Sequence, residues 1–103
     1  MRGAGAFEAV FRSGRRFDGR YLQLIATPAA SPPGRAGFVV GRKVLPRAID
    51  RNRLKRRVRE TLRAARPALE AVDLIVRVRR PLAPSEVAAA AAEAVVLIAA
   101  VLR

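Results

Sequence analysis

The spacing of apolar side chains changes several times along the chain, and each change predicts a different element. Phe7, Val10 and Phe11 follow a helical spacing that Gly14 terminates, so a short N-terminal helix is expected. Apolar and polar positions then alternate, which predicts strands. These strands cover residues 21–27, 37–43 and 72–80. The proline- and glycine-rich segment 28–37 is typical of an exposed loop.

Between the second and third strands the apolar spacing becomes helical, from about residue 47 to residue 66. Pro46 suits the first turn of this helix, and Pro67 ends it. One stripe is apolar and consists of Leu54, Val58, Leu62, Ala65 and Leu69. The opposite side carries Arg53, Arg56, Arg59 and Arg63. The helix is therefore expected to pack along one edge and to present guanidinium groups along the other.

The C-terminal segment is rich in alanine and completes the predicted fold. Pro84 follows the third strand, Ser85 is a candidate N-cap, and residues 86–102 form a last helix. A chain of 103 residues supports one modest core, so residues 1–103 are expected to form a single domain. The predicted class is α+β, a small mixed sheet packed with helices in the order α-β-β-(β)-α-β-α, where the strand in parentheses is optional.

Charge is the unusual part of the composition, because 21 Lys and Arg against 8 Asp and Glu give a net charge of +13. A small body with such a field attracts polyanions, chiefly nucleic acid, with an anionic membrane surface as the rival. Most of the basic residues are arginine, whose planar guanidinium can hold a phosphate through two hydrogen bonds. A GC-rich genome would explain the preference for arginine over lysine equally well, but not the excess of base over acid.

The side chains needed for protein-based chemistry are scarce. The chain has no Cys and no His, which excludes disulfides, thiolate metal sites and histidine acid-base catalysis. Its carboxylates are scattered, and only folding could gather them into a Mg²⁺ site. We therefore predict no catalytic and no metal-binding residues in the protein and assign any chemistry to a partner. No signal peptide or membrane span is expected, so the predicted location is the cytoplasm, without a membrane partner.

The basic helix carries the strongest functional signal. Glu60 is the only acid from Arg51 to Arg66, too few for the i,i+4 ion pairs of a merely solvated helix face. This pattern favours contact with nucleic acid. Phe7 and Phe11 have two interpretations of equal weight: they are core residues, or they line a groove in which unpaired bases stack.

Several segments, taken in order, resemble the protein subunit of bacterial ribonuclease P. They are FEAVFRSG near the N-terminus, GFVVGRKVLPRAID before the basic helix, RNRLKRRVRE within it, and DLIVRVRR in the last strand. An Arg-Asn-Arg triplet alone would be weak evidence, but the resemblance covers nearly the whole chain. It implies a left-handed crossover from the strand near Lys43 through the basic helix to the next strand, although about 98% of such connections are right-handed.

The resemblance implies an accessory subunit of an endonuclease, a ribonucleoprotein hydrolase that removes the 5′ leader from precursor tRNA. The implied partners are ribonuclease P RNA, which would supply the active site and the Mg²⁺, and precursor tRNA. No cofactor is expected on protein side chains. The implied leader cleft, between the first helix and the sheet, contains Phe7 and Phe11. The implied contacts with the catalytic RNA are Arg51, Asn52, Arg53, Lys55, Arg56 and Arg59 on the motif helix, and Arg42 and Lys43 at the strand end.

Three other functions are alternatives on the residues alone. A structural, ribosomal-type RNA-binding protein would share the charge but would have no role in cleavage. A DNA-binding regulator would need base-reading side chains near the start of the helix, where Asn52 is the only amide, so no DNA partner is predicted. Binding to a membrane surface would need a wider apolar face than the stripe from Leu54 to Leu69.

Overall fold

A four-stranded sheet with helices packed on it forms the body of the protein in a computed structural model that describes residues 10–30 and 33–103. The strands are β1 (Arg15–Asp18), β2 (Leu22–Pro28), β3 (Ala36–Val39) and β4 (Val72–Val78). The helices are α1 (Ala48–Ala64) and α2 (Val87–Val101), with short 3-10 turns at Ala68–Ala71 and Pro84–Glu86. Residues 10–13 are also helical, where the sequence predicts the end of the first helix. Phe7 lies outside the described residues.

The sheet is mixed, as the sequence predicts. β1 pairs with β2 and β2 pairs with β4 in antiparallel fashion, whereas β3 pairs parallel with β4. The strand order is β1-β2-β4-β3, so the chain crosses from β3 to β4 through α1. The α+β class and the order of elements are confirmed, while the left-handed sense of the crossover stays a prediction.

Two strands differ from the expected pattern. The alternation does not reveal β1, because its four residues RRFD are mostly charged and form a short edge strand. β3 ends at Val39 and not at Lys43. Beyond it the Leu45 N–H donates to the Gly41 carbonyl at 3.1 Å and turns the chain. The basic pair Arg42 and Lys43 therefore lies in a turn before α1, not at a strand end.

The main core lies between the sheet and the two long helices. Alternate side chains of β2 and β4 face it, among them Leu22, Leu24, Leu74 and Val76, all at most 2% exposed. The buried apolar residues of α1 are Leu54, Val58 and Leu62. Burial of each large apolar side chain stabilises the fold by about 1.5 to 3 kcal/mol. The apolar stripe predicted for the basic helix is thus confirmed as its core edge.

The alanine-rich helix α2 packs closely because its inward positions are small. Ala90 and Ala94 have no exposed surface, which lets the helix backbone approach the sheet. By length and composition, Pro84–Val101 would qualify as a membrane span, with 18 residues and a mean hydropathy of 1.7. In the fold, 39% of the segment is buried inside the protein, and its inward face belongs to the main core.

Two carboxylates of the C-terminal segment bind backbone N–H groups. The Glu86 carboxylate accepts the Ala83 N–H at 2.8 Å, and α2 begins after this turn, not at Ser85. Farther along α2, the Glu93 carboxylate accepts three backbone N–H groups of the β1–β2 hairpin. The donors are Arg20 at 2.7 Å, Tyr21 at 2.9 Å and Leu22 at 2.8 Å. Glu93 thereby fixes the hairpin to α2.

The other face of the sheet, which we call the open face, lies opposite α1 and α2. Here the helical residues 10–13 cover part of the strands. Val10, Ile25 and Ile75 form a second buried cluster, and Phe11 packs against it. A few apolar contacts thus hold helical residues 10–13 on the open face, and Gln23 and Arg77 beside them keep surface in contact with solvent.

Candidate nucleic-acid interface

The side of α1 that points away from the core carries a row of polar and basic side chains. Asn52, Arg56, Arg59 and Arg63 are all exposed and lie opposite the buried stripe. We call them the outer face of α1. Together with Glu60 they line a cleft of about 340 Å³. These residues lie on the side away from the core because the helical period separates their positions from the leucine and valine positions that face the core.

The arginines of the outer face lack acidic partners in the part of the chain that the structure describes. Across residues 10–30 and 33–103, one ion pair is formed, between Arg47 and Asp50 at 3.9 Å. Guanidinium groups that are not neutralised within the protein create a positive potential over the surface. Polyanions are the ligands that such a surface attracts, because each phosphate contact releases condensed counterions.

Two arginines of the motif helix are engaged within the protein. The Arg51 guanidinium donates to the Leu45 carbonyl at 2.8 Å and to the Pro46 carbonyl at 2.9 Å, which fixes the turn before α1. The Arg53 guanidinium donates to the Pro84 carbonyl at 2.8 Å, which links α1 to the segment that precedes α2. The sequence assigns both side chains to RNA contact, and their hydrogen bonds add a structural role that the pattern does not reveal.

The other predicted RNA contacts lie at the same end of α1. Lys55 is half-buried on the flank of the helix, while Arg42 and Lys43 are exposed in the turn between β3 and α1. The basic surface therefore extends from the turn onto the first half of the helix. Contact of these residues with RNA stays a prediction.

The open face of the sheet presents a second surface with exposed arginines, beside Phe11. This ring packs against the cluster formed by Val10, Ile25 and Ile75 and is itself half-buried. Phe11 thus contributes to a core cluster and still offers part of its surface to solvent, so the two interpretations of the sequence are compatible for this residue. Its predicted partner Phe7 lies outside the described residues.

Gln23 organises the basic side chains of the open face. Its amide oxygen accepts from Arg16 at 3.4 Å and from Arg77 at 3.5 Å, and its amide nitrogen donates to Asp18 at 2.7 Å. Arg16 also donates to the Phe11 carbonyl at 2.8 Å. Strand alternation predicts Arg77 on this face. It misses the contribution of Arg16, because β1 is too short and too polar to be identified from its pattern.

Three carboxylates of the described residues bind backbone N–H groups, namely Asp73, Glu86 and Glu93. No three or more His, Cys, Asp or Glu side chains come together within residues 10–30 and 33–103. Asp73 accepts the Arg35 N–H at 3.0 Å, and Glu93 binds the hairpin as described above. This part of the chain therefore offers cationic surfaces and carboxylates that bind the backbone.

Known proteins of one family match this chain over nearly its whole length. The family model described as Ribonuclease P matches residues 1–101. A ribonuclease P protein component from Chromohalobacter salexigens is 45% identical over 78 residues, which cover 75% of this chain and 61% of the relative. Another, from Nitrosomonas eutropha, is 34% identical over 100 residues, which cover 95% of this chain and 83% of the relative. The chain belongs to the ribonuclease P protein family.

Solved structures support the same fold. The RNase P protein from Thermotoga maritima in complex with 1-(4-fluorophenyl)-2-thiourea has a TM-score of 0.77 and 26% sequence identity, and the match covers 99% of this chain and 95% of that chain. The RNase P protein of Staphylococcus aureus has a TM-score of 0.76 and 22% identity, with 100% and 96% covered. The α+β arrangement seen here is therefore that of bacterial RNase P proteins.

Proposed function

We propose that this chain is the protein subunit of a bacterial ribonuclease P and that it assists the RNA-catalysed removal of the 5′ leader from precursor tRNA. Membership of the family over residues 1–101 carries the proposal. The positions of the arginines support it, because they form two separate cationic surfaces, one on α1 and one on the open face of the sheet. Two surfaces allow one small protein to contact two RNA molecules at once.

The outer face of α1 binds the catalytic RNA in this proposal. Asn52, Arg56 and Arg59 project from the helix, and Arg51 and Arg53 hold the turn before α1 and the segment before α2 in place. Guanidinium groups suit phosphates because they are planar and donate two hydrogen bonds in a fixed geometry. Each phosphate neutralised changes the slope of log K against log salt by roughly 0.9 for a duplex. Binding should therefore weaken steeply with added salt.

The open face of the sheet receives the single-stranded leader. The accessible part of Phe11 provides a surface for stacking, and Arg16 and Arg77 lie near it, oriented by Gln23. Binding through stacking and backbone phosphates tolerates most base sequences. The proposal therefore includes a weak preference for leader sequence. Phe7 is expected to extend the same surface.

Mg²⁺ and the active site belong to the RNA partner in this account. Asp73, Glu86 and Glu93 bind backbone N–H groups, and no group of three or more carboxylates that could hold a metal forms within the described residues, which is consistent with this assignment. The protein's arginines lower the repulsion between the catalytic RNA and its RNA substrate. A smaller repulsion means that less Mg²⁺ is needed to bring the two molecules together.

The test is cleavage of a precursor tRNA by a bacterial ribonuclease P RNA at limiting Mg²⁺, with and without this chain. The proposal predicts faster cleavage with the protein and a smaller effect at high Mg²⁺. Tight binding to the RNA without any stimulation would instead indicate a structural, ribosomal-type RNA-binding protein. That second function fits the charge of α1 equally well, but it does not account for the basic open face beside Phe11.

A further inference from the structure

A pocket lies between β3 and the C-terminal half of α1, away from the open face of the sheet. Its volume is about 310 Å³, at the lower end of the roughly 300–1,000 Å³ typical of ligand sites. The floor is apolar and includes Leu62, Leu69 and Leu74, which are 7%, 7% and 1% exposed. We call this cavity the β3-edge pocket. Arg59 and Arg63 of this pocket also belong to the outer face of α1, while its other lining residues have no role in the function proposed above.

The rim of the β3-edge pocket is strongly cationic. Among the described residues, four arginines line it, against one carboxylate, Glu70; the arginines are Arg35, Arg59, Arg63 and Arg66. All four arginines are exposed, and none forms an ion pair with the described residues. Such a rim attracts an anion, and the fork of each guanidinium matches a phosphate.

An aromatic ring gives the pocket a second kind of recognition. Phe38 lines it and is half-buried, and the Arg59 guanidinium carbon lies 5.2 Å from the centroid of its ring. Aromatic rings and guanidinium planes are the surfaces on which proteins stack unpaired bases. An acidic peptide could satisfy the arginines, but it would leave this stacked pair and the apolar floor without a complementary group.

Hydrogen bonds hold Gly34 and Arg35, which form one wall of the pocket, in place. The Gly34 N–H donates to the Glu70 carbonyl at 2.7 Å, and the Arg35 N–H donates to the Asp73 carboxylate at 3.0 Å. Gly34 is packed so closely that a Cβ there would overlap the Val72 carbonyl oxygen. The pocket is therefore preformed, which lowers the entropic cost of binding.

We propose that the β3-edge pocket binds one unpaired nucleotide of an RNA strand. The base stacks on the Phe38–Arg59 pair above the apolar floor, and its phosphate is held by Arg35 and Arg66. Arg59 and Arg63 line both this pocket and the cleft on the outer face of α1, so a strand on α1 can continue into the pocket. The identity of that RNA as ribonuclease P RNA rests on the proposed function, whereas the nucleotide site does not.

The test is an NMR titration of the full chain with uridine 5′-monophosphate, adenosine 5′-monophosphate, inorganic phosphate and a hexaglutamate peptide as separate probes. Backbone amides of residues 34–38 and 59–66 report on the pocket. Three forms of the protein are compared with the wild type: Phe38→Leu, which keeps apolar volume but removes the ring, Arg35→Ala with Arg66→Ala, and the charge-matched control Arg80→Ala with Arg103→Ala. Arg80 and Arg103 are exposed and do not line the pocket.

Both nucleotides should shift the pocket amides and bind about fivefold or more tightly than inorganic phosphate, because base stacking adds to phosphate binding. Phe38→Leu should remove most of the advantage of nucleotide over phosphate. The variant with Arg35→Ala and Arg66→Ala should bind both nucleotide and phosphate more weakly than its control does. Equal affinities for phosphate and nucleotide would overturn the claim that the pocket binds the base. Stronger binding of hexaglutamate would overturn the choice of RNA, and unshifted pocket amides would overturn the site itself.

The variants also distinguish this site from the proposed function. Thermal unfolding of Phe38→Leu reports whether the substitution disturbs the core, and Phe38→Met is a second apolar replacement if it does. Stimulation of precursor tRNA cleavage by the wild-type chain tests the ribonuclease P role and does not depend on any nucleotide titration. If the chain binds nucleotides but does not stimulate cleavage, the ribonuclease P role alone is refuted. If it stimulates cleavage but does not bind nucleotides in the pocket, the nucleotide site alone is refuted.

Discussion

Gly19 and Glu93 are in direct contact across the fold. A Cβ on Gly19 would overlap the Glu93 side chain, and the three heavy atoms nearest to that Cβ all belong to the Glu93 carboxylate. The same carboxylate accepts the N–H groups of Arg20, Tyr21 and Leu22. Glycine at this point of the hairpin leaves room for the carboxylate to bind three consecutive N–H groups. The contact fixes β1, and with it Arg16, relative to the helices.

The first prediction concerns this contact. A double-mutant cycle of Gly19 and Glu93, measured by urea unfolding, tests it. Glu93→Ala should lower the free energy of unfolding by roughly 2 to 4 kcal/mol, since three N–H groups lose a charged acceptor. Gly19→Ala should lower it by about 1 to 3 kcal/mol through overpacking. In the Glu93→Ala background, Gly19→Ala should cost much less because the clashing atoms are gone. Fully additive losses would show that the contact is not the reason for glycine at position 19.

A control for the Glu93 substitution is Glu60→Ala, which removes an exposed carboxylate from α1. The free energy of unfolding should change by no more than about 0.5 kcal/mol, as is usual for surface positions. A loss as large as that of Glu93→Ala would mean that net charge, not the hydrogen bonds to the hairpin, sets the stability.

The second prediction separates two arginines of the motif helix. Arg51→Ala should lower the free energy of unfolding by about 1 to 3 kcal/mol, because its guanidinium holds the Leu45 and Pro46 carbonyls. Arg56→Ala should leave stability nearly unchanged, since Arg56 is exposed. Thermal or urea unfolding measures both. Equal losses for the two variants would contradict the structural role of Arg51.

The third prediction concerns the salt dependence of RNA binding. Arg56→Ala should weaken binding to ribonuclease P RNA and reduce the slope of log K against log salt by about one, as expected for one lost phosphate contact. Affinities measured over a series of KCl concentrations give this slope. The matched control Arg80→Ala removes one exposed charge elsewhere and should leave the slope unchanged. An unchanged slope for Arg56→Ala would remove the outer face of α1 from the RNA interface.

The fourth prediction tests Phe11 as a leader contact. Phe11→Leu keeps an apolar side chain against the cluster of Val10, Ile25 and Ile75 but removes the aromatic ring. Loss of one stacked base should weaken binding of leader-bearing precursor tRNA by about fivefold to a hundredfold, with little change for mature tRNA. Equal losses for both ligands would assign Phe11 to the core cluster alone. Arg77→Ala is a companion variant on the same face and should act in the same direction.

The sequence predicts those features of the fold that depend on local periodicity. The apolar stripe at Leu54, Val58 and Leu62 identifies α1 and the edge that faces the core. The outer face is then the side of the helix opposite this stripe. Alternation in β4 likewise places Arg77 on the face opposite Leu74 and Val76. Such patterns can be read because each element repeats its own geometry along a single segment.

Contacts between distant segments leave no such pattern. Glu93 and Tyr21 are separated by 72 positions, and a lone glutamate in an alanine-rich helix gives no sign of the hairpin that it binds. Arg53 looks like any other exposed arginine until the fold brings Pro84 to it. The sequence does not predict the β3-edge pocket for the same reason. Its arginines come from the β2–β3 loop, from the C-terminal half of α1 and from the turn after α1.

The dependence of cleavage on the leader tests whether this protein joins the catalytic RNA to its substrate. A precursor tRNA with a leader of several nucleotides and one with a single-nucleotide leader are cleaved by a bacterial ribonuclease P RNA at limiting Mg²⁺, each with and without this chain. The account predicts that the protein accelerates cleavage of the long-leader substrate more than that of the short-leader substrate, and that Phe11→Leu removes the difference. Equal acceleration of both substrates, or none, would contradict the claim that this protein joins the catalytic RNA to the leader.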